Sequence, residues 1–281
     1  MTPRVGEVDG LPALVVLEGG WKDSYAHDMA AQGLSVLSIA VRGNDLSFLS
    51  RVPDLRGLVL NAGEVRDLSA LEALSGLETL TLNTPSRPKL PLDFASFPSL
   101  RVLRMYFNPG FESVFGCASL QSLWVFSPPD PDLSRFGTLP ALRRLELSMG
   151  RKLVSTQGVG ELDFLGLYQQ GALSELRDLP DLSVLAIESA KKLEAIDAVA
   201  GCRSLRRLDI ADVGEIASLK PLAGLDALEE LGAWGSTRIL DPDLSVLLEL
   251  PRLRRLRLRD RREYRPRVSE IEAALAAREA G

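Results

Sequence analysis

Leucine, or an aliphatic substitute, returns in the order L-x-x-L-x-L at eleven places along this chain. The units begin at Leu34, Leu55, Leu77, Leu100, Leu120, Leu142, Leu162, Leu182, Leu205, Leu228 and Leu253, with spacings of 20 to 25 residues. So short a period cannot enclose a core of its own, and its units must stack and bury one another's apolar faces. Within one unit, Leu58 and Leu60 stand two apart, the spacing of a strand with one buried face. Val65, Leu68, Leu71, Leu74 and Leu77 then step by threes, which suits a tight 3₁₀-like return. Each turn reads as a strand, a bend and a compact return, and Leu11, Leu14 and Val16 read as a twelfth unit at the N-terminal edge.

The returns repeat as regularly as the strands. Leu46, Leu49, Val52 and Leu55 keep the three-residue step, as do Leu133, Phe136, Leu139 and Leu142, then Ile216 to Leu228, then Leu244 to Leu253. Prolines at 53, 98, 140, 180, 221 and 251 interrupt α-helical bonding there, which disfavours long helices. Stacked turns need closed ends. Between Gly20 and Gly33 the three-step disappears, and Asp23 or Ser24 is placed to cap a short helix carrying Tyr25 and Met29 on one side. Ser269 and Glu272 form a capping-box pattern before Ile271, Ala274 and Leu275. With no linker or low-complexity break, one domain is expected over 1–281: an N-terminal edge strand and cap over 1–33, eleven repeats over 34–262, and a capping helix over 263–281.

On these repeats the chain resembles the leucine-rich repeat family across nearly its whole length. It is most similar to the bacterial, internalin-like kind, whose repeat is ~22 residues. The resemblance implies an α/β solenoid, a right-handed horseshoe or arc. A parallel sheet would line its concave side, 3₁₀ or short helices its convex side, and both ends would be capped. The family usually places Asn three residues after the last strand leucine, where it satisfies backbone groups of the bend. Here those slots hold Arg42, Gly63, Pro85, Asn108, Pro128, Gly150, Gln170, Ala190, Val213, Ser236 and Arg261, and only Asn108 conforms.

The chain is 46% hydrophobic and 25% charged, which fits a folded protein rather than a disordered one. No apolar run approaches the ~20 residues of a membrane span. The N-terminal MTPRVGEVDG lacks the basic-then-apolar order of a signal peptide, so a cytoplasmic location is expected. Cys117 and Cys202 fall in the slot that holds Leu74 in the template turn and read as small core fillers. Four repeats apart, they lie roughly 20 Å from each other, too far for a disulfide. The single histidine, His27, lies in the N-terminal cap without a nucleophile beside it. Neither a zinc spacing nor a phosphate-binding glycine loop is present. Asp130-Pro131-Asp132 and Asp241-Pro242-Asp243 recur at matching repeat positions, where turn formation explains them better than calcium binding. No enzymatic activity, cofactor or metal is expected.

Side chains alternate along a strand, so residues flanking the buried leucines project from the concave surface. Val36, Ser38, Ala40, Gly57, Val59, Asn61, Thr79, Thr81 and Asn83 make the first three turns small and neutral. Later turns present Arg104 and Tyr106, Trp124 and Phe126, Arg144 and Glu146, then Phe164 and Tyr168, with Trp234 further on. Aromatic rings interleaved with charge are what protein-binding hot spots favour. Arg104, Tyr106, Trp124, Phe126, Glu146, Phe164, Tyr168 and Trp234 are therefore the expected contacts for a protein partner, against the alternative that the rings only pack across strands. A second surface lies between Arg252 and Arg267, where nine arginines face Asp260 and Glu263 for a local charge of +7. Because the chain's net charge is −5, the remainder carries −12. Arg255, Arg257 and Arg259 alternate onto the concave face of the last turn, as a site for a polyanion such as nucleic acid or as a solvated rim. The acidic remainder disfavours nucleic acid. An inhibitor of the immunity type or an adaptor is the role such a module suggests by analogy.

Overall fold

The computed structural model describes residues 4–280, so residues 1–3 and 281 of the expected end segments lie outside it. Its contacts divide into two compact units. The first runs to Phe126 and takes in Leu139–Leu142; the second holds Ser127–Thr138 and continues from Arg143.

In the first unit β1 (Arg4–Val8) and β2 (Leu11–Val16) form an antiparallel hairpin. Parallel strands follow in chain order: β3 (Val36–Ala40), β4 (Gly57–Asn61), β5 (Thr79–Asn83), β6 (Val102–Tyr106) and β7 (Ser122–Phe126). The second unit carries β8 (Arg144–Ser148), β9 (Phe164–Tyr168), β10 (Val184–Glu188) and β11 (Arg207–Ala211). After the two-residue β12 (Glu215–Ile216), β13 (Glu230–Trp234) pairs with β11; β14 (Arg238–Ile239) pairs with β12, and β15 (Arg255–Leu258) closes the sheet beside β13. Each of the eleven repeats opens its strand two residues after its first leucine. Pairing is in register, so Leu58 lies beside Leu80 and Leu80 beside Leu103, while Leu185, Leu208 and Leu231 form the same ladder in the second unit. These leucines are sealed from solvent, and each stabilises the fold by about 1.5–3 kcal/mol.

The returns are mostly 3₁₀ turns: Ser47–Arg51, Ser69–Ala73, Phe94–Ser96 and Glu112–Gly116 in the first unit, Phe136–Thr138, Asp197–Gly201 and Lys220–Leu222 in the second. The three-step leucines fill them, with Leu71 N donating to Leu68 O and Leu74 N to Leu71 O, both at 2.9 Å. A single α-turn, α2 (Val246–Glu249), replaces the 3₁₀ turn in one return of the second unit. The returns after β8 and β9 are extended instead, joined by a bridge between Ser155 and Glu175. There the buried Thr156 hydroxyl donates to Arg177 O and accepts from Arg177 N, both at 2.7 Å, tying one return to the next.

The helix α1 (Ser24–Ala31) buries Tyr25 and Met29 as expected and ends at Gly33, whose φ of +62° few other residues adopt cheaply. Its start has no side-chain cap; Asp23 pairs with Arg51 at 3.6 Å instead. The Asp9-Gly10 turn, with φ of 52° and 78°, makes a two-residue hairpin, so β1 rather than the Leu11 strand forms the sheet edge. At the other end α3 (Val268–Ala280) covers β15 with Ile271 and Leu275. Its cap differs from the expected Ser269–Glu272 box. Arg267 pairs with Asp260 at 2.6 Å and draws that carboxylate to the helix start, where Asp260 accepts from Val268 N while Glu270 accepts from Arg267 N at 2.8 Å.

Candidate functional site

Alternation along the strands leaves one sheet face on the core and one open. At the start of the first unit the open face is closed by its own side chains. Val36 and Ser38, expected to project, are buried. Gly57 is the reason: the Val36 methyls and Thr79 Oγ1 crowd the space its missing side chain leaves, where a Cβ would stand 3.0 and 2.8 Å from them. Beyond it Asn83 donates to Asn61 at 2.7 Å.

Further along, β6 and β7 hold the predicted rings together. Tyr106 stacks on Phe126 at 4.8 Å, and Trp124 stacks on Phe126 at 5.2 Å, all three half-buried. Arg104 stands on the same face, but its guanidinium is taken: Asp9, at the hairpin tip, accepts from it twice, at 2.8 and 3.0 Å. That contact joins residues 95 apart in sequence, beyond the reach of any local pattern.

The second unit presents a more open arrangement. On β8 and β9, Arg144 Nε donates to Glu146 at 2.8 Å while its guanidinium lies 3.5 Å over the Phe164 ring. Tyr168 folds along its own strand, its hydroxyl over Gly166, where a Cβ would come within 2.7 Å. Burial, and then the neighbouring Glu146 carboxylate, push the Tyr168 phenol up to about 12. Glu146 is thus engaged inside the chain. On the far side, Arg257 of β15 lies 4.0 Å over the Trp234 ring, and Arg207 of β11 pairs with Asp209 at 2.6 Å. Between these walls β10 and β11 supply a low floor of Val184, Ala186 and Ala211, with Glu188 exposed at its rim. The result is a hollow of about 520 Å³ in which Phe164, Tyr168 and Trp234 stand half-buried.

Stacked parallel strands two residues into each leucine repeat, joined by 3₁₀ returns, have counterparts among solved structures. An internalin, InlF, from Listeria monocytogenes matches with 17% identity over 89% of this chain and 83% of its own, at a TM-score of 0.50. The fold is that of a leucine-rich repeat protein. A leucine-rich repeat protein of Leptospira interrogans aligns at 17% identity over 81% of this chain and 73% of its own, with a TM-score of 0.43. Internalin C2 from Listeria monocytogenes aligns at 17% identity over 83% and 84%, with a TM-score of 0.37. No family model matches the chain, and no curated protein does.

Within this leucine-rich repeat fold the bend slots are filled unevenly. Asn108 does what the resemblance implies, accepting from Leu90 N and Gly110 N at 2.8 Å and donating to Pro85 O and Pro88 O. Gln170 reaches Leu147 O and Tyr168 O from its own slot. Near Ser236 the task moves one residue on, to buried Thr237, which donates to Ile210 O and accepts from Val213 N. In the second unit the residue after the strand turns left-handed at Met149, Gln169, Ser189, Asp212 and Gly235, with φ between 54° and 69° at all but Asp212, where it is 52°.

Of the basic patch, Arg255 pairs with Glu230 at 3.0 Å, Arg257 rides on Trp234, and Arg259 lies exposed just past β15. His27 is exposed, and both cysteines are free and buried. Asp132 and Asp243 accept from Ser134 N and Ser245 N at 3.0 Å, the turn-forming role expected of the Asp-Pro-Asp segments. Among the described residues no group of three or more His, Cys, Asp or Glu is placed to hold a metal, and no helix is long and apolar enough to cross a membrane. Sequence reading missed Asp9 and Glu188. The Asp-Gly pair marked the hairpin that carries Asp9, whereas a lone exposed glutamate gives no local signal.

Proposed function

We propose that this protein is a non-catalytic module that binds another protein on the open face of its sheet, principally in the hollow of the second unit. The observation that carries this reading is the pairing of half-buried rings with an uncommitted charge. Phe164, Tyr168 and Trp234 surround a floor of small residues, and the Arg257 guanidinium stacked on Trp234 has no acidic partner among the described residues. Rings already held against neighbours lose little entropy on binding, and a stacked guanidinium keeps its edge donors for an incoming acceptor. Arg257 and Glu188 would orient the partner while the rings supply buried area. The Tyr106–Phe126–Trp124 stack of the first unit offers further apolar contact. An inhibitor or adaptor role, in the cytoplasm, suits a surface of this kind.

Affinity capture from the native host tests the proposal. The wild-type chain should retain a protein that the Tyr168→Ala/Trp234→Ala variant and the surface variant Arg257→Glu both lose, with melting curves close to wild type. Unchanged capture by both variants would remove the hollow from the interface. Retention of nucleic acid in a low-salt gel shift, weakening steeply with added salt, would favour instead the arginine-rich last turn.

A further inference from the structure

Across the strand residues of β2 to β7, the open face of the first unit carries one charged side chain, Arg104 of β6. The other residues that alternate outward there are apolar, aromatic, hydroxyl-bearing or amide-bearing. Arg104 lies in register with Trp124, on the face that holds the stacked rings of Tyr106, Phe126 and Trp124. A lone guanidinium among neutral groups suits a carboxylate, and it already holds one. Both oxygens of Asp9 accept from its two terminal nitrogens, at 2.8 and 3.0 Å.

That contact constrains the hairpin. β3, β4 and β5 lie between β2 and β6, so the path across the sheet is roughly 19 Å. An arginine, an aspartate and the hydrogen bond between them span about 13 Å at most. The hairpin closes the difference by leaning back over the open face. β2 pairs with β3 only from Ala13 onward, so the tip from Val8 to Pro12 projects past the sheet. Ala13, Val36 and Ser38 alternate onto this face and are nevertheless buried. The Asp9–Arg104 pair fastens the tip with side chains 35% and 32% exposed, and water screens a pair so placed.

We propose that the β1–β2 hairpin is a latch in which Asp9 stands in for an acidic side chain of a protein partner, and that an acidic segment docks on Arg104 and the ring stack by displacing it. This rests on the reading that the open sheet face binds protein, but on the first unit rather than on the hollow of the second. The segment it fits sets an acidic residue among apolar or aromatic neighbours. Its carboxylate takes over the bidentate geometry of Asp9, and the rings cover the side chains on either side. Because Asp9 competes for Arg104, affinity is reduced by the fraction of molecules in which the latch is closed.

The probe is the capped peptide Leu-Glu-Phe-Glu-Leu, with Leu-Gln-Phe-Gln-Leu as its neutral counterpart. Each is titrated into the full chain while the Trp124 side-chain signals are followed by NMR. Asp9→Asn suits the left-handed turn and removes the competing charge. It should bind the acidic peptide about two- to fivefold more tightly than wild type, the range a screened pair withholds, and the neutral peptide no better. In an Arg104→Gln background Asp9→Asn should give no gain. A nitroxide on Leu11→Cys, beside two buried native cysteines, should broaden the signals of Thr81, the neighbour of Arg104 on β5. Saturation with the acidic peptide should relieve most of that broadening.

The proposal is overturned if Asp9→Asn binds the acidic peptide no better than wild type, which is what a purely structural ion pair gives. It is also overturned if the gain survives loss of Arg104, if the neutral peptide shares it, or if the saturated chain keeps its hairpin in place. The Tyr168→Ala/Trp234→Ala variant should bind the peptide as wild type does, so the latch and the hollow fail separately. Loss of binding in that variant would put the peptide in the hollow and overturn the latch.

Discussion

Gly150 shows how a single missing side chain supports a neighbouring turn. A Cβ at this position would stand 1.7 Å from Gln170 Oε1, so the glycine makes room for the buried amide that ties two turns together. Gly150→Ala should displace Gln170 and leave Leu147 O and Tyr168 O unmatched, lowering stability by about 1–3 kcal/mol in urea unfolding. Tyr168 gives a residue-scale prediction in alkali. Its phenol titrates at about 12, above the ordinary 10.0, so the folded state favours the neutral form. That contribution is complete below pH 10.0 and is lost as pH rises towards 12. Tyrosinate absorbance should show a late-titrating component that Tyr168→Phe removes and Glu146→Gln moves down. The alternation of strand residues made Tyr168 legible as an open-face residue. Its fold-back over Gly166 and its engagement with Glu146 were not, because both depend on which residue the next strand places alongside.

At the scale of elements, the ends of the array decide more than its middle. The β1–β2 hairpin carries Asp9 to Arg104, a bidentate pair with both partners about one-third exposed. Water screens such a pair, so a double-mutant cycle with Asp9→Asn and Arg104→Gln should give a coupling of only about 0.5–1 kcal/mol. At the C-terminal end Tyr264 is completely buried, its hydroxyl accepting from Ile239 N at 3.1 Å and donating to Ile239 O at 3.2 Å. Tyr264→Phe should therefore cost about 1–3 kcal/mol, read from the denaturant midpoint, because it strands β14 backbone groups in the interior. Between them, Asp241 is held down to about 2, chiefly by Lys220 at 2.8 Å and then by Asp243 N. A depressed carboxylate contributes above its unfolded value of 3.8, and that contribution disappears as pH falls through about 2. Lys220→Ala should raise the Asp241 titration in carboxylate NMR, with little effect on stability at neutral pH because the pair is solvent-facing. The capping-box pattern located the last helix but not its first residue, since the cap came from Asp260 in the preceding loop.

For the molecule as a whole, stability is spread along ladders of like residues rather than concentrated in one core. Leu208 touches its counterparts Leu185 and Leu231 in the ladder and is fully buried. Leu208→Ala should accordingly cost about 2–5 kcal/mol in denaturant unfolding. Charge is distributed unevenly, with +7 between Arg252 and Arg267 against −12 elsewhere. Much of that basic stretch is spent internally, on Glu230, Asp260 and backbone carbonyls.

The sequence by itself determined the repeat, one strand in each of the eleven units, the compact returns and which leucines are buried, because a period of strand plus return leaves one way to hide those side chains. It also determined which residues share a sheet face. Only the tertiary structure decided which of them remain available. Stacking brings residues about twenty positions apart into contact, and a hairpin tip brings Asp9 to Arg104. Val36 was buried in the space that Gly57 leaves, Arg104 and Glu146 were taken by partners within the chain, and Trp234 with Arg257 was left facing open space. Availability is set by such neighbours across strands, and no local pattern in the chain encodes them.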